Sequence, residues 1–300
     1  PDICYVHNTW FEGSISIIRL LQKRGLKTII KVHNSRLNCC NSYFVKNHIN
    51  REQFCNGCGQ RRKKYQIFNK TFSNSYLKSF LVVRHTKKLL SYIISFKITV
   101  LALGEFQKNQ LVKIGLNPKN IHIFQNYIKK QNIQKEKNII DYFVYAGRVS
   151  AEKGVKELIE VFLDCKFENL KLYIVGDGPQ LDELKNYYDF QNINFLGSKN
   201  REDTLKIISN SKGVLTFTKM HEGQPTVLCE ASMLTVPSVF PKAGSISSFF
   251  PSDYPYTFEQ GNKNDFKNKL IEFNNNENLL DVALDNKDFI LGLLKEETLY

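Results

Sequence analysis

The 300-residue chain has a globular composition, with 42% hydrophobic and 24% charged residues, which excludes a collagen-like, low-complexity or wholly disordered protein. The sequence has no run of about 18 or more uncharged apolar residues, so no membrane-spanning helix is predicted. The net charge of +13 is divided unevenly, because residues 1–135 carry +20 and residues 136–300 carry −7. This asymmetry predicts different partners for the two parts of the chain.

Strands and helices alternate in the first part of the chain. Strands are predicted at residues 3–6, 27–32, 98–103 and 121–124, and helices at residues 14–24 and 105–114. A polar loop that contains cysteines occupies residues 34–62, and a basic amphipathic segment occupies residues 74–96. We interpret residues 1–130 as a partial α/β domain and the polar residues 131–141 as a linker.

The alternation is sharper after the linker. Strands are predicted at residues 142–146, 170–175, 193–196 and 213–217, and helices after residue 154 and at residues 180–188, 201–209 and 225–233. Leu170–Val175 is apolar almost throughout, as a buried parallel strand requires. The pattern predicts parallel sheets built from right-handed crossovers, with residues 142–300 as the second domain.

Three loops of the second domain follow predicted strands, and open α/β sheets bind ligands outside the carboxyl ends of their strands. The first loop, residues 147–154, holds Arg148 and Lys153 near the start of a helix. A guanidinium fork and an ammonium group there suit a diphosphate; the alternative is a surface turn with solvated charges. The second loop, residues 176–179, has glycines that permit close backbone approach, or that serve only the geometry of the turn.

The third loop, residues 221–231, combines two carboxylates with the start of a helix. Pro225 is predicted at the first helical position, which leaves Glu222 in the loop and Glu230 inside the helix. The first N–H groups of that helix then face any anion between the two carboxylates. Glu230 has apolar neighbours and so needs a polar partner, the alternative being a solvated helix carboxylate.

Together these motifs resemble those of the retaining glycosyltransferases of family 4, which have the GT-B fold. The resemblance spans residues 142–240 and rests on Gly147-Arg148, Glu152-Lys153-Gly154, Val175-Gly176-Asp177-Gly178-Pro179, Glu222 and Glu230. It extends more loosely to Pro1-Asp2-Ile3-Cys4-Tyr5-Val6-His7-Asn8, Val32-His33-Asn34 and residues 98–126. It implies two Rossmann-like α/β domains whose parallel sheets face each other across a cleft, an acceptor-side domain followed by a nucleotide-sugar-binding domain.

The resemblance implies a set of residues that bind the donor: Arg148, Lys153, Gly178, Gly223, Thr226, Val227 and Glu230. Among them, Arg148 and Lys153 hold the nucleotide diphosphate. The backbone amides of Thr226 and Val227 are offered to the phosphate, and Glu230 accepts hydrogen bonds from the ribose hydroxyls.

Two further residues, Glu222 and His33, are implied to be catalytic and to lie beside the donor sugar. Glu222 is expected to act by positioning and electrostatics, not as a covalent nucleophile. Cations and amide dipoles that are already in place stabilise the diphosphate leaving group. The resemblance implies a UDP- or GDP-sugar donor and no metal or other cofactor.

The chain departs from the family pattern in two places. The glycine-rich loop that opens the family's first domain, before the equivalent of Pro1, is absent from the sequence. This implies an N-terminally incomplete chain with a truncated first domain, whose activity is left open. Leu234-Thr235-Val236-Pro237 also lacks the glycine usually found two residues before the proline, which we interpret as loop variation.

The seven cysteines are odd in number and unevenly spaced, which favours reduced thiols in a cytosol over a disulfide framework. Cys55 and Cys58 form a C-x-x-C motif, and with Cys40 they are candidates for a structural zinc site that would order the loop. Free thiols are the favoured alternative because the remaining ligands lack a standard spacing, and a redox pair is the third.

The segment at residues 74–96 alternates apolar residues with cations, which are Lys78, Arg84, Lys87 and Lys88, and it follows the basic run Arg61-Arg62-Lys63-Lys64. Such a segment predicts contact with an anionic membrane surface, which a lipid-linked acceptor would make useful. The alternative is a domain helix with one buried face. The predicted location is cytoplasmic, peripheral at the inner face of the cytoplasmic membrane.

The leading hypothesis is a hexosyltransferase that moves a sugar from a nucleotide donor to a lipid-linked polysaccharide or lipopolysaccharide intermediate. An alternative with the same fold is a nucleotide-sugar epimerase or phosphorylase, and the spacing of Glu222 and Glu230 favours the transferase. Another is a basic protein that binds nucleic acid or membranes without catalysis. Nucleic acid is not expected as a partner, since the cations scatter over helices and loops instead of interleaving with aromatics on one surface.

Overall fold

The computed structural model describes residues 2–7, 14–39, 72, 75–129, 133 and 141–294. They fall into two compact units. The first unit contains residues 1–126 together with Met220–Gln224, and the second contains Tyr127–Lys219 together with residues 225–300. Of the predicted linker at residues 131–141, only Ile133 and Asp141 are described, and Asp141 already begins a strand.

The first unit contains a four-stranded parallel sheet. Its strands are β1 (Ile3–His7), β2 (Lys27–Lys31), β3 (Thr99–Ala102) and β4 (Ile121–Ile123). The helices described in this unit are α1 (Ser16–Lys23), α2 (Tyr76–Ser95) and α3 (Glu105–Lys113). The strands lie side by side in chain order, so each parallel pair needs a crossover connection. The predicted strands and helices of this part are confirmed, with ends that differ by one or two residues.

The core of the first unit lies between the sheet and its helices. Ile30 and Val100, which pair in register between β2 and β3, are buried against Ile18 of α1 and Leu111 of α3, within one hydrophobic cluster. Burial of apolar surface contributes roughly 25 cal/mol per Å². This cluster therefore fixes the carboxyl ends of β1 and β2, where two histidines lie.

The second unit contains a six-stranded parallel sheet. Its strands are β5 (Asp141–Ala146), β6 (Leu170–Val175), β7 (Ile193–Gly197), β8 (Gly213–Leu215), β9 (Ser238–Pro241) and β10 (Thr257–Phe258). The helices described in it are α4 (Val155–Asp164), α5 (Leu181–Tyr187), α6 (Arg201–Ser209), α7 (Thr226–Met233), α8 (Lys263–Asn275) and α9 (Leu279–Leu293). The two parallel sheets confirm the predicted α/β class.

The strand order of the second sheet, β10-β9-β8-β5-β6-β7, reverses direction at β5. The chain first builds outward from β5 through β6 to β7, and then returns to place β8 on the other side of β5. Ligands of doubly wound sheets bind at such a switch point, outside the carboxyl ends of the strands. The loop after β5, which carries Arg148 and Lys153, lies at this point.

Pro225 does not occupy the first helical position that the sequence predicts. Its ψ of 79° is outside the helical range, and it is the N-cap of α7, which begins at Thr226. Its carbonyl oxygen accepts the first helical hydrogen bond, from the backbone N–H of Cys229 at 3.0 Å. The prediction is wrong by one residue, because the backbone of Pro225 has not yet reached helical geometry.

Candidate functional site

The loops that follow β5 and β6 interlock through their backbones. The N–H of Gly147 donates to the carbonyl of Val175 at 2.9 Å, and the N–H of Val149 donates to the carbonyl of Asp177 at 2.8 Å. A Cβ atom on Gly176 would overlap the carbonyl oxygen of Gly147. The sequence alone did not decide whether the glycines at residues 176–179 bind a ligand or only shape the turn. The structure shows that Gly176 is required for the backbones of the two loops to contact each other.

Arg148 and Lys153 stand at either end of a loop whose backbone is held in place. The carbonyl of Arg148, whose side chain is exposed, accepts a hydrogen bond from the hydroxyl of Tyr145 at 2.7 Å. Lys153 is half-buried and ends a short 3-10 turn, and Gly154 follows with a φ of 67°. A Cβ on Gly154 would overlap the carbonyl oxygen of Phe217, so this residue also needs to be glycine. The predicted diphosphate-binding cations therefore start from fixed backbone positions.

Gly178 keeps the second loop in contact with the first. A Cβ on Gly178 would overlap the carbonyl oxygen of Val149, and that same oxygen accepts a hydrogen bond from the N–H of Gln180 at 3.2 Å. The absence of a side chain on Gly178 thus lets the second loop approach the backbone of Val149, the residue after Arg148, closely. This geometry is compatible with the donor-binding role predicted for Gly178.

Helix α7 supplies three of the predicted donor-binding residues. Thr226 and Val227 open the helix, and the first N–H groups of a helix have no acceptor within it. Glu230 lies one turn further along, with 13% of its side chain exposed. Its Oε1 accepts two hydrogen bonds from Arg201, from Nε at 3.1 Å and from Nη2 at 2.8 Å. The sequence predicts that Glu230 has a polar partner but does not identify it, and the structure shows that this partner is Arg201.

His33 and Gly223, both predicted site residues, lie close together in the first unit. A Cβ on Gly223 would lie 3.8 Å from the carbonyl oxygen of His33 and 2.9 Å from Cδ1 of Leu103. Glu222, half-buried, precedes this glycine in the chain. The structure therefore brings the segment that carries the predicted catalytic carboxylate to the strand end that carries the predicted catalytic histidine.

The His33 imidazole has a pKa below its ordinary value. Burial is the main cause, and the charges of His7 and Lys31 add to it. The Nε2 atom of His33 lies 2.7 Å from Nδ1 of His7. At neutral pH the ring is therefore uncharged, which suits a hydrogen-bonding group and not a fixed cation.

Gln224 anchors the segment Met220–Gln224 within the first unit. Its side-chain oxygen accepts a hydrogen bond from the backbone N–H of Asn126 at 2.5 Å, and its amide nitrogen donates to the carbonyl of the same residue at 2.9 Å. Gln224 is buried, so both polar ends of its amide are satisfied. Local sequence patterns do not reveal the role of Gln224, because 98 positions separate it from Asn126.

The predicted site residues fall into two groups. The second unit holds Arg148, Lys153, Gly178, Thr226, Val227 and Glu230, and the first unit holds His33, Glu222 and Gly223. The zinc candidates Cys40, Cys55 and Cys58 lie outside the described residues. Within the described ranges, His, Cys, Asp and Glu side chains form no cluster of three or more that could bind a metal ion.

Helix α2 has one buried face, as expected for a domain helix, and a second face that is exposed. The buried face includes Val82, Val83, Leu89 and Ile93. The exposed residues between positions 76 and 88, which we call the α2 surface, are Tyr76, Leu77, Lys78, Leu81, Arg84 and Lys88. No acidic residue occurs on this helix. Among the described residues, no helix is long and apolar enough to cross a membrane.

A model of the family described as "Glycosyl transferases group 1" matches residues 123–287, more than half of the chain. The capsular polysaccharide biosynthesis glycosyltransferase CapM of Staphylococcus aureus is 29% identical over 191 residues, which is 61% of this chain and 47% of CapM. The amylovoran biosynthesis glycosyltransferase AmsD of Erwinia amylovora is 25% identical over 172 residues, 51% of this chain and 45% of AmsD. The chain thus spans about half the length of these curated relatives.

Solved glycosyltransferase structures share the fold. The structure of Anabaena HepE in complex with UDP and glucose matches with a TM-score of 0.72 over 98% of this chain and 75% of HepE, at 13% identity. A Staphylococcus aureus TarM variant in complex with Fondaparinux, α-GlcNAc-glycerol and UDP matches with a TM-score of 0.65 over 91% of this chain and 49% of TarM, at 20% identity. These neighbours are GT-B glycosyltransferases, so the predicted GT-B fold is confirmed.

Proposed function

This chain belongs to the group 1 glycosyltransferases, and we propose that it is a retaining, family 4-like hexosyltransferase that uses a UDP- or GDP-sugar. One observation carries the proposal. The loop of Arg148 and Lys153 lies at the switch point of the second sheet and is locked there by the glycine turn at residues 176–179. This is where doubly wound folds bind nucleotides.

The side chains of the second unit have the chemistry that a nucleotide diphosphate requires. Arg148 supplies a planar guanidinium and Lys153 an ammonium for the two phosphates. The N–H groups of Thr226 and Val227 add the positive end of α7. Arg201 engages only Oε1 of Glu230, and the second carboxylate oxygen, Oε2, accepts hydrogen bonds from the ribose hydroxyls. Charge develops on the diphosphate as it leaves, and these fixed groups stabilise it.

In the proposed reaction, the bond between the anomeric carbon and the diphosphate oxygen breaks. The bond from that carbon to the acceptor hydroxyl oxygen forms on the same face, and an oxygen of the departing diphosphate takes the hydroxyl proton. Glu222 and the neutral ring of His33 position the sugar through its hydroxyls. No metal or other cofactor is proposed.

The proposed acceptor is a lipid-linked intermediate of a polysaccharide or lipopolysaccharide. Two observations support it: CapM and AmsD are glycosyltransferases of polysaccharide biosynthesis, and the α2 surface combines exposed apolar side chains with cations. Such a surface suits an anionic membrane. We therefore propose a peripheral location at the cytoplasmic face of the cytoplasmic membrane, with no nucleic acid partner.

Replacing Glu230 by alanine is expected to weaken donor binding by roughly 10- to 100-fold, because hydrogen bonds to a charged group contribute about 1.5 to 3 kcal/mol. Calorimetric titration with UDP- and GDP-sugars measures this, with Glu202→Ala as the matched control. Glu202 is an exposed carboxylate on α6 that pairs with Lys206 at 3.0 Å, and its loss should leave binding unchanged. Equal affinities of both variants and the wild type would contradict the ribose assignment.

Product analysis after incubation with the same UDP- and GDP-sugars tests the function itself. Transfer of a labelled sugar to a glycan acceptor supports a transferase, whereas isomerised donor or phosphate-dependent release of a sugar phosphate identifies an epimerase or a phosphorylase. A protein that binds no nucleotide sugar and shifts RNA in a salt-dependent manner would overturn the proposal.

Removing three cations from the α2 surface should reduce binding to anionic vesicles by about a hundredfold, since each cation near anionic lipid contributes about 1 kcal/mol. The variant is Lys78→Gln/Arg84→Gln/Lys88→Gln, and flotation uses phosphatidylcholine vesicles with and without phosphatidylglycerol. The control, Lys185→Gln/Lys199→Gln/Lys242→Gln, removes the same charge from exposed positions of the second unit. Indifference of the wild type to phosphatidylglycerol would argue against membrane contact.

A further inference from the structure

His7 and His33 form a pair at the carboxyl ends of two neighbouring strands. His7 ends β1, where it lies in register with Lys31 of β2, and His33 follows two residues after that lysine. The two imidazole rings are nearly parallel, with an angle of 18° between their planes and 5.0 Å between their centroids. With 2.7 Å between Nδ1 of His7 and Nε2 of His33, the rings share a hydrogen bond.

This hydrogen bond restricts what His33 can present to a ligand. It needs one N–H and one lone pair, and it occupies the Nε2 atom of His33. The Nδ1 atom of His33 has no hydrogen-bond partner among the described residues. Tyr5 packs edge-on against the ring of His7, with 4.5 Å between centroids, and so limits its rotation.

We propose that His7 is a positioning residue that fixes the orientation of His33 by engaging its Nε2 atom, leaving Nδ1 of His33 for a hydroxyl of the donor sugar. The role of His33 in this inference rests on the proposed function; the pairing does not. A ring held by a neighbour loses less entropy when it binds than a ring that rotates. His7 thus acts on the reaction through His33 and does not itself touch the substrate.

Burial, followed by the charges around it, keeps His33 in the neutral state that this role requires. Lys31 on β2 and His7 on β1 both disfavour a proton on His33. The segment packed against the carbonyl of His33 at Gly223 carries one carboxylate, Glu222. Because its pKa is lowered, His33 is neutral at pH 7.5, where one nitrogen carries a proton and the other does not.

Nitrogen-15 NMR of the imidazole rings at pH 7.5 tests the pairing independently of activity, since protonated and bare ring nitrogens have well-separated shifts. We expect the Nε2 signal of His33 to show a hydrogen bond to Nδ1 of His7 in the wild type, to lose it in His7→Leu, and to recover it in His7→Asn, whose amide can occupy the place of Nδ1 as donor or acceptor. His33→Gln assigns the signals. The control His122→Leu removes an exposed histidine from β4 and should change nothing. Nitrogen-15 shifts of His33 that are the same in His7→Leu as in the wild type would overturn the proposal.

Sugar-transfer kinetics test whether His7 contributes to the reaction through His33. In His7→Leu we expect kcat to fall about fivefold to tenfold, as for the loss of one hydrogen bond, with donor KM unchanged and kcat restored in His7→Asn. An unchanged kcat in an active His7→Leu protein whose His33 Nε2 has lost its hydrogen bond would refute a positioning role. A wild type that neither binds nor transfers a nucleotide sugar would reject the proposed function, and the nitrogen shifts would then decide the pairing alone.

Discussion

Replacing Arg148 and Lys153 together by alanine should weaken binding of the nucleotide-sugar donor by at least about a hundredfold. Each cation is expected to make a charge-assisted hydrogen bond to the diphosphate, and such bonds contribute about 1.5 to 3 kcal/mol each. Neither substitution touches the buried core, because Arg148 is exposed and Lys153 is half-buried. The loop itself should keep its position, since backbone hydrogen bonds and the hydroxyl of Tyr145 hold it.

The ligand series makes this experiment specific for the diphosphate. Calorimetry with UDP-sugar, UDP and uridine, or with the guanosine series, should show the loss for the first two ligands and not for the nucleoside. The matched control is Lys156→Ala, which removes an exposed lysine three residues after Lys153; its ammonium lies 5.9 Å from the centroid of the Tyr187 ring. If the double variant lost as much affinity for the nucleoside as for the nucleoside diphosphate, Arg148 and Lys153 would not contact the phosphates.

Elements with a strong local pattern were predictable from the sequence. β6 has the predicted bounds, Leu170–Val175, because a nearly continuous apolar run is typical of a strand buried on both faces. α6 also has the predicted bounds, and its N-terminus is capped by Asn200, whose side chain accepts a hydrogen bond from the N–H of Asp203. The site loops could be located for the same reason, since each follows a recognisable strand.

No helix or strand is predicted beyond residue 233, although the sequence of α8 has a helical spacing of apolar residues. In α8, Phe266, Leu270 and Phe273 recur at helical spacing and are buried, and Asn262 caps the helix. β10 has only two residues, too few for a period to be visible. Short strands of this kind are defined by pairing with a neighbour, here β9, and not by their own sequence.

Contacts between residues that are far apart in the sequence could not be predicted from local sequence patterns. Arg201 and Glu230 are 29 positions apart and meet because α6 and α7 are neighbours. His7 and His33 are 26 positions apart and meet because β1 and β2 pair in register. The sequence could state that Glu230 needs a polar partner, since that follows from burial, but the identity of the partner depends on tertiary packing.

The other large effect should come from a single methyl group in the second unit. We expect Gly176→Ala to lower the free energy of unfolding by about 4 kcal/mol or more, the range reserved for clashes and strain in a packed structure. Gly176 has a φ of 141°, which side chains disfavour, and its new Cβ would overlap the carbonyl oxygen of Gly147. Because that neighbour is backbone, relief requires separation of the loops after β5 and β6, which the hydrogen bond from Val149 to Asp177 opposes.

Substitutions of two other glycines serve as controls that distinguish the steric clash at Gly176 from the general effect of replacing glycine by alanine. Gly197→Ala, at a φ of 66° with nothing within 4 Å of the new Cβ, should cost only about 1 to 2 kcal/mol of left-handed strain. Gly292→Ala, inside α9 and equally unobstructed, should stabilise the protein by roughly 0.5 to 1 kcal/mol. Thermal unfolding should therefore give the highest Tm for Gly292→Ala, followed by the wild type, Gly197→Ala and Gly176→Ala. The Tm of Gly176→Ala should be about 8 °C or more below that of the wild type, since 1 kcal/mol shifts the Tm of a domain of this size by about 2 to 4 °C. A Gly176→Ala protein as stable as Gly197→Ala would mean that the two loops are not interlocked, and a Gly176→Ala protein that does not fold gives the predicted result in its extreme form.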